Sequence, residues 1–168
     1  MSVKVMVSAG LSWNGITKPF FVNPQLTKVT GAYYRNHVKR QMLPACRKLY
    51  PENDFYYVHD GARAHIESSV QALLKEELGG RFVSKDEWPP YSPDINPLDY
   101  WFWSAVKTNV YSGKLKPFKD VAELQQKIKR VWRSCWDLQT VRNAIKQFRP
   151  RVKAVVEAEG GPIKQLYG

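Results

Sequence analysis

Cysteine is scarce in this chain of 168 residues: Cys46 and Cys135 stand far apart, with no Cys-x-x-Cys and no Cys/His pair at ligand spacing. Neither a disulfide framework nor a structural zinc site is indicated, and a reducing compartment fits best. Long apolar runs are also missing. None approaches the ~20 residues that cross a bilayer, and the first residues lack the basic-then-apolar layout of a signal peptide. Acidic residues are few, 15 Asp/Glu against 26 Lys/Arg, for a net charge of +11. The imbalance is uneven: residues 1–100 hold 12 basic against 10 acidic side chains, residues 101–168 hold 14 against 5. Such a field attracts polyanions, nucleic acid first and an anionic membrane surface next, although a solvated face on a basic domain has the same statistics.

What is present suffices for one packed domain, with 43% hydrophobic and 13% aromatic residues. Val3, Val5 and Val7 alternate with other residues, Trp13-Asn14-Gly15 supplies a turn, and a second β-rich run spans Ile16 to Val22. Residues 3–22 therefore read as a β-hairpin, with Asn-Gly as its turn signal. Pro19 argues for an edge position, where a missing N–H costs little. Thr30 is a candidate N-cap for an amphipathic helix over 31–43 that ends near Pro44 or slightly beyond, with Arg35, Lys39 and Arg40 on its outer side. Phe55 to Val58 has the composition of a buried strand, and a helix bearing Ile66, Val70, Leu73, Leu74 and Leu78 follows until Gly79-Gly80. With a short strand at Arg81 to Val83, this order predicts a βαβ crossover and a parallel pair.

Residues 88–97, Trp-Pro-Pro-Tyr-Ser-Pro-Asp-Ile-Asn-Pro, carry four prolines and must form a stiff loop. Asn96 then caps a helix with Pro97 at its first position and Asp99 at its third, Leu98, Trp101, Phe102, Ala105, Val106 and Val110 facing the core and Gly113 as the stop. Val121, Leu124, Ile128, Val131 and Trp132 mark another helix. Val141, Ala144, Ile145 and Phe148 mark a last one, interrupted by Pro150, and the tail from Gly160-Gly161-Pro162 reads as frayed.

Two carboxylates stand out: Asp60 closes the aromatic run, and Asp99 opens the helix after the proline loop. Together they could hold Mg²⁺, which takes one or two protein carboxylates and completes its shell with water and phosphate. Two such ions about 4 Å apart can activate an attacking oxygen and stabilise a leaving one at a phosphodiester. From the residues alone, Asp60 could equally cap the next helix and Asp99 complete a capping interaction with Asn96. His59 and His65 invite a metal or general-base reading, but without a third ligand His65 reads as a surface or substrate-facing residue. Trp101 and Phe102 share an apolar stripe and belong to the core rather than to a base-stacking surface.

The segments Val58-His59-Asp60-Gly61-Ala62-Arg63-Ala64-His65 and Trp88 through Tyr100 closely resemble the second and third catalytic motifs of mariner-family transposases. So does the opening Val5 through Gly15, which looks like the strand pair following that family's first catalytic Asp. The resemblance implies an α/β, RNase H-like mixed sheet flanked by helices and lacking its first, central strand. It makes residues 1–168 a single catalytic-domain fragment, with sheet and crossover helices over 3–112 and a basic helical part over 113–168. By position it makes Asp60 and Asp99 the catalytic, metal-binding carboxylates for Mg²⁺ or Mn²⁺, and Arg63 and His65 substrate-facing. Gly61 departs from the family, which usually has Asn there. The first catalytic Asp has no counterpart, since Glu52 is the only acidic residue between Met1 and Asn53.

The implied activity is metal-dependent DNA cleavage and strand transfer, and residues 1–168 alone are expected to be inactive. DNA is the expected partner, with room for a homodimer, no membrane and no small-molecule cofactor, and nuclear residence. The competing expectation is a domesticated, non-catalytic nucleic-acid-binding module working through Lys127, Lys129, Arg130, Arg133, Arg142, Lys146, Arg149 and Arg151. In the first case two carboxylates alone hold the second metal poorly, and the mechanism needs both metals. Closure of residues 3–7 against 55–59 is the expected repair of the missing strand.

Overall fold

In the computed structural model, residues 3–22 and 28–163 are described. They divide into two compact units, a split unit formed by Met1–Val22 and Pro93–Gly168 and a central unit formed by Asn23–Ser92.

The split unit opens with the expected hairpin. Strands β1 (Val7–Ser8) and β4 (Phe20–Phe21) pair antiparallel, as do β2 (Leu11–Ser12) and β3 (Gly15–Ile16). The register slips by one between them: Ser8 faces Phe20, whereas Leu11 faces Ile16. Residues 17–19 therefore oppose only residues 9–10, which is a bulge on the returning strand. Pro19 lies in that bulge, where no ladder hydrogen bond needs its absent N–H; this locates more closely the edge position read from the sequence. Thr17 locks the irregularity, since its backbone N–H donates to Gly10 O and its hydroxyl accepts from Gly10 N–H. Of the Asn14-Gly15 pair only Gly15 takes a positive φ, +130°, so the turn rests on the glycine alone.

Behind the hairpin, a π-helical turn Leu98–Phe102 leads into α4 (Trp103–Tyr111), followed by α5 (Val121–Ser134), α6 (Leu138–Lys146) and α7 (Phe148–Glu157). Gly113 ends α4 at φ +68° as expected. Asp120 and Asp137 cap α5 and α6, accepting from Glu123 and Thr140 N–H groups. The expected last helix divides at Gln147, and Pro150 falls in the first turn of α7, where its missing N–H has no helical partner to lose. Phe102, Val106, Val110, Leu124, Ile128 and Val131 form the buried core, packed on Val3, Val5 and Val7 from the opening run.

The central unit is built on α1 (Gly31–His37), which passes through a π-helical stretch, Val38–Met42, into α2 (Leu43–Leu49). Thr30 caps it, accepting from Tyr33 N–H at 3.2 Å, and Arg35, Lys39 and Arg40 are exposed as expected. The helix does not stop at Pro44; proline occupies the first turn of α2 and the helical run continues to Leu49. Helix α3 (Ser68–Leu78) buries Val70, Leu73, Leu74 and Leu78, while Ile66 lies outside it and is 37% exposed.

The run at 55–58 is not a buried strand. Tyr57 is buried, whereas Tyr56 and Val58 are 69% and 45% exposed, because the alternation of an extended chain turns them to the other face. Tyr57 makes one parallel bridge to Phe82, with Tyr57 N–H donating to Arg81 O and Val83 N–H to Tyr57 O, both at 3.0 Å. That is the parallel pair read from the strand, helix, strand order, reduced to a single bridge. In place of the expected closure of 3–7 on 55–59, each run finds its partner within its own unit, Val7–Ser8 in Phe20–Phe21 and Tyr57 in Phe82.

Candidate metal and nucleic-acid site

Asp60 follows directly on the Tyr57 bridge, at the point where the extended chain turns toward α3. Its side chain is about half exposed, 49%, and two contacts fall on Oδ1: Ala62 N–H donates a hydrogen bond at 3.0 Å, and His65 Nδ1 lies 2.6 Å away. His65 Nδ1 is buried and makes no aligned hydrogen bond among the described residues, so its short approach to Asp60 is a charge contact. The His65 contact is the main reason that the Asp60 carboxyl is held below its ordinary range, ahead of an opposing contribution from burial. The capping alternative is excluded for α3, whose N-cap is Glu67 with no side-chain cap bond.

A small polar network supports this corner of the central unit. The Lys85 backbone N–H can only donate, so the Gln71 oxygen that it meets at 3.0 Å is fixed as Oε1. The Gln71 amide nitrogen then faces His59 Nε2 and His65 O, each at 3.2 Å. Receiving a hydrogen bond on Nε2, the neutral His59 ring carries its proton on Nδ1, 3.4 Å from the Tyr34 hydroxyl, which is 3.3 Å from that of Tyr57. Burial lowers the His59 pKa to about 4 and, as the main cause, raises those of Tyr34 and Tyr57. Neither Tyr34 nor Gln71 was singled out in the sequence, because helix periodicity shows which face is covered and not which polar tips meet there.

Asp99 belongs to the split unit. Asn96 organises the helix start as expected: its Oδ1 accepts from Leu98 N–H at 3.1 Å, and its amide donates to Asp99 Oδ2 at 2.9 Å. Asp99 is exposed at the surface of the π-helical turn, a form that the sequence reading did not anticipate. Ahead of it, Tyr91 in the proline loop is fully exposed and takes a positive φ of 51°. Each aspartate offers the hard oxygen donors that Mg²⁺ or Mn²⁺ prefers, Asp60 half exposed and Asp99 exposed, which leaves room for water and phosphate around an ion bound at either. Among the described residues no group of three or more His, Cys, Asp or Glu side chains is placed to hold a metal.

The basic residues sort into two kinds. Arg63, Arg130, Arg133, Lys146 and Arg149 are exposed and Lys127 is half-buried. Lys127 and Arg130 line a cavity of about 250 Å³ with Glu123 and Phe118. Others serve the fold. Arg142 Nε donates to Trp13 O at 3.1 Å and its guanidinium stands 5.1 Å from the Trp13 ring, while Arg151 stands 4.1 Å from the Tyr100 ring and donates to Asp94 O. Lys129 stands 5.5 Å from the Phe21 ring. His65, read as substrate-facing, is turned toward Asp60.

No family model matches the chain. In sequence it is similar to the transposable element Tc3 transposase of Caenorhabditis elegans, at 26% identity over 137 residues, covering 82% of this chain and 39% of that protein. The chain thus spans well under half the length of this relative. In structure it is similar to the catalytic domain of Mos1 mariner transposase, with a TM-score of 0.80 and 19% identity over 96% of this chain and 76% of that one. The Mos1 mariner paired-end complex with Mn gives a TM-score of 0.79 at 18% identity, covering 95% of this chain and 45% of that one. The same Mos1 catalytic domain has been solved with raltegravir and Mg, at a TM-score of 0.78.

Over nearly its whole length, then, the chain has the RNase H-like fold of a mariner transposase catalytic domain. The sequence comparison adds the second step: over 137 residues the chain is similar to part of Tc3 transposase, in line with the resemblance of its proline-rich and His-Asp-Gly motifs to those of mariner-family transposases.

Proposed function

We propose that Asp60 and Asp99 are each a metal-binding carboxylate for phosphodiester chemistry on DNA, in a segment that is inactive as residues 1–168 alone. The observation that carries this reading is the Asp60 carboxylate, kept ionised, half exposed and anchored through one oxygen at the end of the Tyr57 bridge. A bound Mg²⁺ or Mn²⁺ would polarise a phosphoryl oxygen and lower the pKa of an attacking water or hydroxyl. The chain's own share is to present Asp60 through the His65 and Ala62 contacts and Asp99 through Asn96, and to hold DNA by Arg63, Lys127, Arg130, Arg133, Lys146 and Arg149. Two carboxylates grip the second ion of a two-metal site poorly, hence the expected inactivity. Action on DNA also argues for nuclear residence and for two copies meeting on paired ends.

One experiment tests both parts. Purified chain is mixed with supercoiled plasmid and Mg²⁺ or Mn²⁺, and nicking and DNA binding are followed from low to high salt. No nicking is expected; nicking that disappears in Asp60→Ala and Asp99→Ala would overturn the inactivity. Binding should weaken log-linearly with salt, at a slope near −5 if about six phosphates are neutralised.

A second reading, a domesticated nucleic-acid-binding module without catalysis, is favoured by the charge of the split unit, 16 Lys/Arg against 7 Asp/Glu. It is preferred if DNA binding persists with its full slope while Asp60→Ala and Asp99→Ala leave Mn²⁺ binding unchanged.

A further inference from the structure

We propose that His65 is a positioning residue for the metal-binding carboxylate: its Nδ1–H clamps Asp60 Oδ1 so that Oδ2 is turned to the cation. The inference rests on the metal reading of Asp60 and adds to it the residue that sets the carboxylate's orientation. An aspartate has two equivalent oxygens and a nearly free terminal torsion, so on an exposed loop it presents either oxygen to an ion. Here that freedom is removed. Ala62 N–H and His65 Nδ1 both converge on the one oxygen, at 3.0 and 2.6 Å, and neither contacts the other.

The clamp is itself held in place. The His65 ring packs against those of Tyr34 and His59, at centroid distances of 3.9 and 5.3 Å. Its backbone is pinned twice, by its own N–H to Ala62 O at 2.7 Å and by the Gln71 amide to its carbonyl. Nδ1 is buried, makes no other contact of this kind, and lies 2.6 Å from Asp60 Oδ1, so the clamp requires the proton on Nδ1. This is the arrangement in which a partner outside the coordination shell orients a ligand, seen from the carboxylate's side; removing such a partner ordinarily weakens metal affinity about 10- to 100-fold.

The test uses the whole chain and two readouts. Without metal, at about pH 8.5, where an ordinary imidazole is neutral, nitrogen-resolved NMR of the side chain should show His65 protonated on Nδ1, and Asp60→Ala should release it to the Nε2–H form. An Nε2–H ring in the unsubstituted chain overturns the clamp. With metal, Mn²⁺ affinity is measured by electron paramagnetic resonance. His65→Phe keeps a flat ring against Tyr34 and His59 but cannot donate, and should bind about 10-fold more weakly. His65→Asn restores a donor near the Nδ1 position and should return to within about 3-fold of the original. Affinity lost in Asp60→Ala but unchanged in His65→Phe overturns this inference alone. Affinity indifferent to Asp60→Ala removes the metal reading and the inference with it. Should His65→Phe fail to fold, the tautomer readout decides, since it needs no substitution at His65.

Discussion

The central unit carries all three histidines and 10 Lys/Arg against 8 Asp/Glu; the split unit carries five of the six tryptophans and 16 against 7. Their interiors differ accordingly. Helices α1 and α3 bury hydroxyls and imidazoles that bond one another, Tyr34, Tyr57 and His59 among them. The split unit buries Phe102 amid four tryptophan rings. An interior of mutually bonded polar groups depends on protonation state, whereas one of apolar rings does not. The carboxylate proposed to bind metal sits beside the first kind of interior, and most of the net positive charge is mounted on the second.

The largest effect that would sharpen this contrast is a truncation in the ring cluster. Phe102 is fully buried, with its centroid 5.0 Å from Trp132, 5.3 Å from Trp103 and Trp136, and 5.8 Å from Trp101. Phe102→Ala should cost about 4 kcal/mol, read as a fall in the urea midpoint of tryptophan fluorescence, with little dependence on pH. A loss under about 1 kcal/mol would mean that the cluster collapses around the gap and is not a rigid core.

Acid should act on the other unit. Burial depresses His59 to about 4 and also lowers His37, so the unfolded chain binds protons that the folded chain refuses. Stability from these groups is present above their unfolded pKa near 6.5 and is lost as pH falls toward the folded value, by roughly 3 kcal/mol for His59 at most. The depressed Asp60 pKa acts in the same direction at lower pH, below its unfolded value of 3.8. The hydrogen-exchange protection factors in α3 should therefore fall between about pH 6.5 and 4 while those in α5 hold, and His59→Gln should flatten the difference. An equal loss of protection in both helices would break the comparison.

What was legible in the sequence follows the range of the interactions. Caps are local, and Thr30, Asn96 and the Gly113 stop were read correctly from their neighbours. The hairpin was legible from Trp13-Asn14-Gly15, but the bulge around Pro19 was not, since it is a difference between two registers. Pro44 misled because a proline in the first turn of a new segment resembles a stop; the π-helical stretch before it, Val38–Met42, joins the two segments. Tyr56 and Val58 misled by composition, for an aromatic, β-branched run signals a strand without saying how many of its faces are covered. Of the candidate site, the sequence showed both aspartates. The His65 clamp depends on Tyr34 and Gln71, which lie 31 and 6 positions from it, and no spacing rule joins them.

The smallest expected effect concerns Gly61, where mariner-type motifs usually carry Asn. A Cβ built at Gly61 meets nothing within 4 Å, the residue is exposed, and its φ is not in the positive region that favours glycine. Gly61→Asn should therefore shift stability by less than about 0.5 kcal/mol, in either direction, through backbone entropy alone. The informative quantity is what else moves. An amide one residue from Asp60 could donate to the oxygen that His65 leaves open, in competition with a cation, or could join the shell around it. If Mn²⁺ affinity rises with stability unchanged, the glycine is a weakened site and the central unit retains the rest of the family's apparatus. If affinity falls, the added amide has taken Oδ2, and the glycine is what keeps that oxygen available beside a clamp already occupying the other.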